Sequence, residues 1–167
     1  MTIRKKLRDE LNARFVPLIL KHGFCGPERL AGNATLHYYR KPVGTTVQVV
    51  SIQFDKRQRP RVTINFHEEP PQGISILTAT SPFTLSQGRL TPRPGGFTRS
   101  WFRADPPFWL RLLGVRSTTE KKAVTELLDL FGEVEEWFKT KSVGPHLSVW
   151  SHTYRPTSRE RGTITTS

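Results

Sequence analysis

At the start of the chain, apolar residues recur every three or four positions. This spacing runs through Ile3–His22 and predicts an amphipathic α-helix there. Thr2 is placed to cap the start of the helix, and Gly23 is placed to end it in a left-handed conformation. Pro17 falls inside the pattern, where it removes a backbone donor. We therefore expect a kink at Pro17 or an earlier end of the helix.

Alternation of apolar and polar residues then replaces the helical spacing. It is clearest in Arg61–His67, where Val, Ile and Phe alternate with Thr, Asn and His, as in a half-buried β-strand. Two strands precede it, Leu36–Arg40 and Thr45–Phe54, and the turns between the three are short. Short turns predict antiparallel pairing as a meander. Further strands are expected at Ile74–Thr80 and Thr98–Phe102, with a loop rich in proline and glycine between them.

The helical spacing returns between Thr118 and Lys141. Ser117 and Glu120 fit a capping box, and the apolar residues that follow form one stripe along the helix. Leu147–Trp150 indicates a final strand or an extended segment on the core. Residues 155–167 contain almost nothing apolar, and we expect them to form a disordered basic tail.

Together these elements predict a single α+β domain over residues 1–154. Its antiparallel meander sheet should have four to six strands, with the N-terminal and C-terminal helices packed on one face. A chain of 167 residues is long enough to bury a core without disulfides. The lone cysteine indicates no oxidising compartment, and because charged residues interrupt the N-terminal apolar run, we expect no signal peptide. We expect a cytoplasmic protein that is not embedded in a membrane.

The net charge of the chain says more about its binding partners than its overall composition does. The chain has 26 Lys and Arg against 14 Asp and Glu, a formal net charge of +12. Acidic residues concentrate in the stretch Glu126–Glu136, within the predicted C-terminal helix. A protein this basic favours acidic partners. The partner is therefore expected to be an acidic protein or a nucleic acid.

Five short motifs resemble a bacterial domain-of-unknown-function family, number forty-three hundred and four. They pair glycine with an aromatic residue, or set aromatic and β-branched residues along strands, and they are Gly23-Phe24, Tyr38-Tyr39, Val49–Phe54, Thr63–Phe66 and Trp101-Phe102. The resemblance covers roughly residues 3 to 141. It implies a small intracellular α+β domain, and it brings no functional site with it.

Motifs for metal, cofactor and nucleophilic chemistry are missing from the sequence. The five histidines show no ligand spacing, and no phosphate-binding loop, dinucleotide fingerprint or nucleophile elbow is found. We therefore expect no metal, no cofactor and no catalytic residue. Cys25 is interpreted as a small buried residue beneath the first helix. Hydrolase activity at the Cys25 or His67 end of the sheet remains a third hypothesis, because folding can bring distant catalytic groups together.

A basic hairpin is the first candidate binding site. Arg57, Arg59 and Arg61 flank one predicted turn, and Tyr38 and Phe54 belong to neighbouring strands. Arginines beside aromatic rings can hold phosphates and stack bases. Arginine at a hairpin turn also has an ordinary use, which is to keep a sheet edge soluble.

A cluster of tryptophan and arginine is the second candidate. It comprises Trp101, Arg103, Trp109 and Arg111. If the aromatic residues are buried, they form core beneath the final helix, and this is the interpretation we favour. If they are exposed, the cluster has the composition of a protein-binding hot spot.

The sequence thus predicts a non-catalytic binding module that recognises an acidic macromolecular partner, with a protein as the first choice. The alternative is a nucleic-acid-binding protein without sequence specificity, because no helix-turn-helix or other base-reading motif is present.

Overall fold

The fold was established from a computed structural model. It describes residues 1–28, 35–71, 83–95, 100–105 and 119–154. The strand predicted at Ile74–Thr80 and the predicted tail at 155–167 lie outside these ranges. Within them, no helix has both the length and the apolar character needed to cross a bilayer.

The N-terminal helix forms in three consecutive parts. They are α1 (Ile3–Glu10), a π-helical turn (Leu11–Phe15) and α2 (Val16–Lys21). Thr2 caps α1, because its side-chain oxygen accepts a hydrogen bond from the Lys5 amide at 3.3 Å. Gly23 has a φ of 86°, which confirms the predicted left-handed stop.

Pro17 is accommodated by the π turn that precedes it. The Val16 amide bonds to the carbonyl of Leu11, five residues earlier, so the hydrogen-bond register widens just before the residue that has no N–H. A π turn is one way in which a helix absorbs a break in its ladder. The helix therefore continues to Lys21 with the same face, Leu11, Phe15 and Ile19, turned to the core.

Seven described strands form one antiparallel sheet. They are β1 (Cys25–Glu28), β2 (Leu36–Val43), β3 (Thr46–Phe54), β4 (Arg61–Glu69), β5 (Phe83–Leu90), β6 (Phe102–Arg103) and β7 (Leu147–Tyr154). Six lie in the order β1-β2-β3-β4-β5-β7, and the two-residue β6 pairs with β4. The predicted meander is confirmed.

Two strands were missed from the sequence. β1 is four exposed residues, which carry no alternation to detect. β5 falls where a loop was expected, because Thr84, Ser86, Gln87 and Arg89 make it polar. It is nevertheless an inner strand, paired with β4 on one side and β7 on the other, so tertiary pairing overrides its weak local signal.

The C-terminal helix α3 (Thr119–Thr140) completes the fold. It packs with the N-terminal helix on one face of the sheet, as predicted. Phe131 of α3 meets Phe15 edge-on, with ring centroids 5.1 Å apart, and Trp137 meets Phe66 of β4 at 4.9 Å. The buried core lies between these helices and the inward residues of the central strands, which include Val50, Ile52, Phe54, Val62, Ile64, Phe66 and Leu90.

Gly132 lies on the exposed side of α3, where no described atom outside its own helix is within 4 Å of an added Cβ. We expect Gly132→Ala to stabilise the protein by about 1 kcal/mol, because alanine loses less backbone entropy in a helix. Thermal unfolding should show a melting temperature about 2–4 °C higher. A lower melting temperature would show that this side of the helix has a contact that alanine disturbs.

β4 changes partner along one of its edges. Ile64–His67 pairs with the end of β5, whereas Arg61 and Val62 pair with β6. Beyond Leu90 the chain follows the segment that leads into β7, since the Thr91 amide donates to the carbonyl of His146 at 2.8 Å. β5 and β6 therefore diverge, and the fold leaves an opening between them.

Candidate functional site: an arginine and tryptophan cleft

A cleft of about 390 Å³ occupies the opening between β5 and β6. Residues from four separate parts of the chain line it: β4, the loop after β5, the segment at β6, and helix α3. The described lining consists of Arg61, Pro92, Arg93, Ser100, Trp101, Arg103 and Glu126. We refer to this site as the arginine cleft.

Asp105 holds two of the arginines in place. Arg61 donates from Nε to Oδ1 at 3.3 Å and from Nη2 to Oδ2 at 3.0 Å. Arg103 makes the same pair of bonds at 3.3 and 3.1 Å. Arg61 and Arg103 stand directly opposite each other on β4 and β6, where like charges repel. One carboxylate therefore offsets the repulsion and fixes both guanidinium groups beside the cleft.

The pKa of Asp105 reflects this arrangement. Burial opposes ionisation of the carboxyl, but the hydrogen bonds and positive charges of Arg61 and Arg103 outweigh it and lower the pKa from 3.8 to about 2. Asp105 is consequently ionised throughout the physiological range. It acts as a permanent anchor for the two arginines.

Trp101 is positioned by a polar network on the sheet face opposite the helices. The Arg89 guanidinium carbon lies 5.9 Å from the centre of the Trp101 ring, within cation–π range. Arg89 in turn donates from Nε to Asn65 at 2.8 Å, and Asn65 donates to Gln53 at 3.0 Å. Trp101 remains partly exposed, so part of the indole is available to a ligand.

Glu126 brings a negative charge to the cleft from helix α3. Burial raises the pKa of its carboxyl, although the positive charges of Lys122, His146 and Arg93 act in the opposite direction. With Asp105 and Glu126 both ionised, the three arginines of the cleft exceed the carboxylates by one charge. The cleft is thus suited to a ligand that supplies a further negative charge.

The three arginines of the basic hairpin do not form one common binding site. Arg59 is bound to Asp55, with 2.7 Å between Nε and Oδ2, and Arg61 is bound to Asp105. The Arg57 amide donates to Asp55 at 2.7 Å, which leaves its exposed side chain at the turn. The three arginines therefore have different surroundings, because Arg57 and Arg59 are exposed at the turn, whereas the Arg61 side chain is only 18% exposed.

Residues from both predicted clusters meet in the arginine cleft. Arg61 comes from the hairpin, and Trp101 and Arg103 come from the aromatic cluster. Trp109 and Arg111 lie outside the described residues. Sequence reasoning missed Asp105, Arg93 and Glu126. Asp105 had a usable signal, because residues two apart on an extended segment share a face and it follows Arg103 at that spacing.

No family model, curated protein or solved structure matches the chain. The resemblance of residues 3 to 141 to a family of unknown function therefore stays a prediction. What the site can do is argued from its own geometry.

Cys25 corrects an expectation. It was interpreted as a buried residue beneath the first helix, but it is exposed on the edge strand β1. The chain passes from Gly23 into this short edge strand, so Cys25 never enters the core. It aligns across the sheet with Arg40, Val49 and then His67. Three strand spacings, about 14 Å, separate Cys25 from His67, which is too far for a nucleophile and its base.

His67 belongs to a local ionic group instead. Its Nε2 lies 3.4 Å from Glu69 Oε2, and Arg40 approaches the same carboxylate at 3.1 Å. Burial lowers the pKa of His67 despite the neighbouring Glu69 charge. Glu68 points to the other face and pairs with Lys141 at 2.6 Å. Across the described part of the chain, no three His, Cys, Asp or Glu side chains are grouped to hold a metal ion.

Proposed function

We propose that the protein is a cytoplasmic, non-catalytic binding module that recognises an acidic segment of a protein partner through the arginine cleft. The observation that supports this most directly is the pair Arg61 and Arg103, held side by side on Asp105 next to the partly exposed Trp101. Arginine and tryptophan are the residues that dominate protein-binding hot spots.

The guanidinium groups retain donors for a ligand. Each has five N–H donors, and among the described residues each is seen to bond through Nε and Nη2, both to Asp105. The remaining donors suit a carboxylate, which arginine binds in a planar, paired geometry. Because Asp105 has already ordered both side chains, less conformational entropy is lost when a ligand binds.

A protein partner fits this geometry better than a nucleic acid. Nucleic-acid binding depends on several phosphate contacts spread along a backbone. Of the hairpin arginines, Arg61 lines the cleft beside Arg103 and Arg59 pairs with Asp55, so the hairpin itself does not offer three equivalent arginines to a phosphate backbone. The alternative rests on the exposed Lys56 and Arg57 at the hairpin turn and on the overall charge of the chain.

Arg93→Gln and Arg103→Gln separate the cleft from general charge. We expect each variant to bind a fluorescein-labelled glutamate-rich peptide about tenfold more weakly than the wild type, because a charge-assisted hydrogen bond is lost. Arg57→Gln makes the same change in net charge at an exposed site outside the cleft, and should change affinity by less than about twofold. Fluorescence anisotropy measures all three, and far-UV circular dichroism verifies folding.

A variant with the opposite expected effect and a nucleic-acid ligand make the test more specific. Glu126→Gln should strengthen peptide binding, because it removes a repelling carboxylate from the cleft. Equal losses in Arg57→Gln and Arg103→Gln would rule out the cleft as the binding site. An oligothymidylate of equal charge that binds more tightly, with a salt dependence that Arg57→Gln flattens, would favour the nucleic-acid alternative.

A further inference from the structure

A second cavity adjoins the arginine cleft and differs from it in character. Its volume is about 500 Å³, and its wall is mostly apolar, whereas the wall of the cleft is mostly polar. Both cavities are lined by Pro92 and Glu126. The remaining described lining of the second cavity is Lys122, Thr125, Asp129, Leu130 and His146. We call it the Leu130 groove.

One face of helix α3 forms the floor of the Leu130 groove. Lys122, Thr125, Glu126 and Asp129 recur at three- and four-residue spacing and so lie on the same side of the helix. Thr125 accepts a hydrogen bond from Arg14 at 3.0 Å, which ties this face to the N-terminal helix. The floor is therefore part of the packed helical layer.

The opposite side of the groove is also fixed. His146 Nδ1 lies 2.6 Å from Glu133 Oε1, and the His146 amide donates to the other oxygen of that carboxylate at 2.9 Å. The His146 carbonyl accepts both the amide and the hydroxyl of Thr91, next to Pro92. These bonds hold the two loops that face α3, so the groove exists before any ligand arrives.

We propose that the acidic segment also carries an apolar side chain, which occupies the Leu130 groove while the acidic side chain occupies the arginine cleft. This inference rests on the proposed function. Charge complementarity selects the occupant at the cleft, where Arg61, Arg93 and Arg103 favour an acidic side chain. At the groove Glu126 and Asp129 outnumber Lys122, so its mostly apolar wall suits the uncharged side chain of the segment and not the acidic one. An extended peptide places residues two apart on the same side, about 7 Å from each other, which suits two cavities that share a wall.

Two peptides test the inference with the full chain. One is a fluorescein-labelled glutamate-rich peptide with a leucine two residues after a glutamate, and the other replaces that leucine with serine. The leucine peptide should bind the wild type about tenfold more tightly, because leucine is removed from water in the groove. Thr125→Trp fills the groove from an exposed helix position, and should reduce this advantage to less than about twofold. The serine peptide should bind the wild type and Thr125→Trp equally.

Leu130→Ala provides a second variant, since it removes apolar wall without filling the groove, and should also reduce the advantage of leucine. Serine-peptide binding shows in each variant that the cleft is still folded. Equal binding of both peptides to the wild type would overturn the inference and leave the proposed function standing. A leucine advantage that survives both variants would also overturn it. Failure of the wild type to bind either peptide would instead contradict the proposed function itself.

Discussion

Gly88→Ala is expected to destabilise the protein by about 2–3 kcal/mol. Gly88 on β5 stands directly opposite Phe66 on β4, and a Cβ at Gly88 would lie 2.6 Å from Cε2 of the Phe66 ring and closer still to Cζ. The ring cannot move aside, because Phe66 is fully buried and packs against Trp137 and Phe138. Overpacking a buried site in this way typically destabilises a protein by about that amount. Urea unfolding measures it.

A double-mutant cycle locates the cause. Phe66→Leu alone should destabilise the protein, but in the Gly88→Ala background it should recover part of the loss, because the smaller side chain makes room for the methyl group. Gly132→Ala is the matched control for the chemical change, with an effect of opposite sign. Additive effects of Gly88→Ala and Phe66→Leu would show that the methyl group does not meet the ring.

The second large effect is expected for Asp105→Asn, which should lower the free energy of unfolding by about 2 kcal/mol at neutral pH. Asparagine accepts weaker hydrogen bonds and leaves Arg61 and Arg103 facing each other without a compensating charge. The pKa of Asp105 is lowered to about 2 in the folded protein, from an ordinary 3.8. The stabilisation by the ionised carboxylate is therefore complete above about pH 4 and is lost as the pH falls towards 2.

Measuring the free energy of unfolding across this pH range checks whether the stabilisation by Asp105 decreases as the pH falls. The difference between the wild type and Asp105→Asn should shrink between about pH 4 and pH 2, by about 1–2 kcal/mol once solvent screening at a side chain that is 16% exposed is allowed for. Comparison with the variant removes the contribution of the other carboxyls. A difference that stays constant with pH would show that Asp105 does not titrate in this window.

The fold could be predicted where local pattern and tertiary structure agree. The helix from Ile3 to Lys21, the strands β3 and β4, and helix α3 all carry strong periodicity, and all were expected within a few residues of their observed bounds. β5 could not be predicted in the same way, because Gly88 is required by the Phe66 ring of a neighbouring strand. A residue chosen by a contact distant in sequence leaves no local pattern.

The site was predicted in part. Arg61, Trp101 and Arg103 were candidates because of their residue types, but they were assigned to two separate clusters. The divergence of β5 and β6 at β4 brings them into one cleft, and that divergence depends on strand register, which the sequence does not display. Glu126 was interpreted only as part of an acidic stretch, since nothing in the neighbouring sequence places it in one cleft with Arg93 of the loop after β5.

The pairing of β5 with β7 has a consequence for the order in which the molecule assembles. β2, β3 and β4 are joined by short turns, so their pairing closes small loops at little entropic cost. β5 and β7 are separated in the chain by β6 and the whole of helix α3, so their ladder carries a larger loop-closure cost and forms after those hairpins. The ribosome also releases β7 only after α3. The loop after β5 lines the arginine cleft together with α3, and Thr91 ties this loop to the segment before β7, so the cleft is complete only after β7 has joined the sheet.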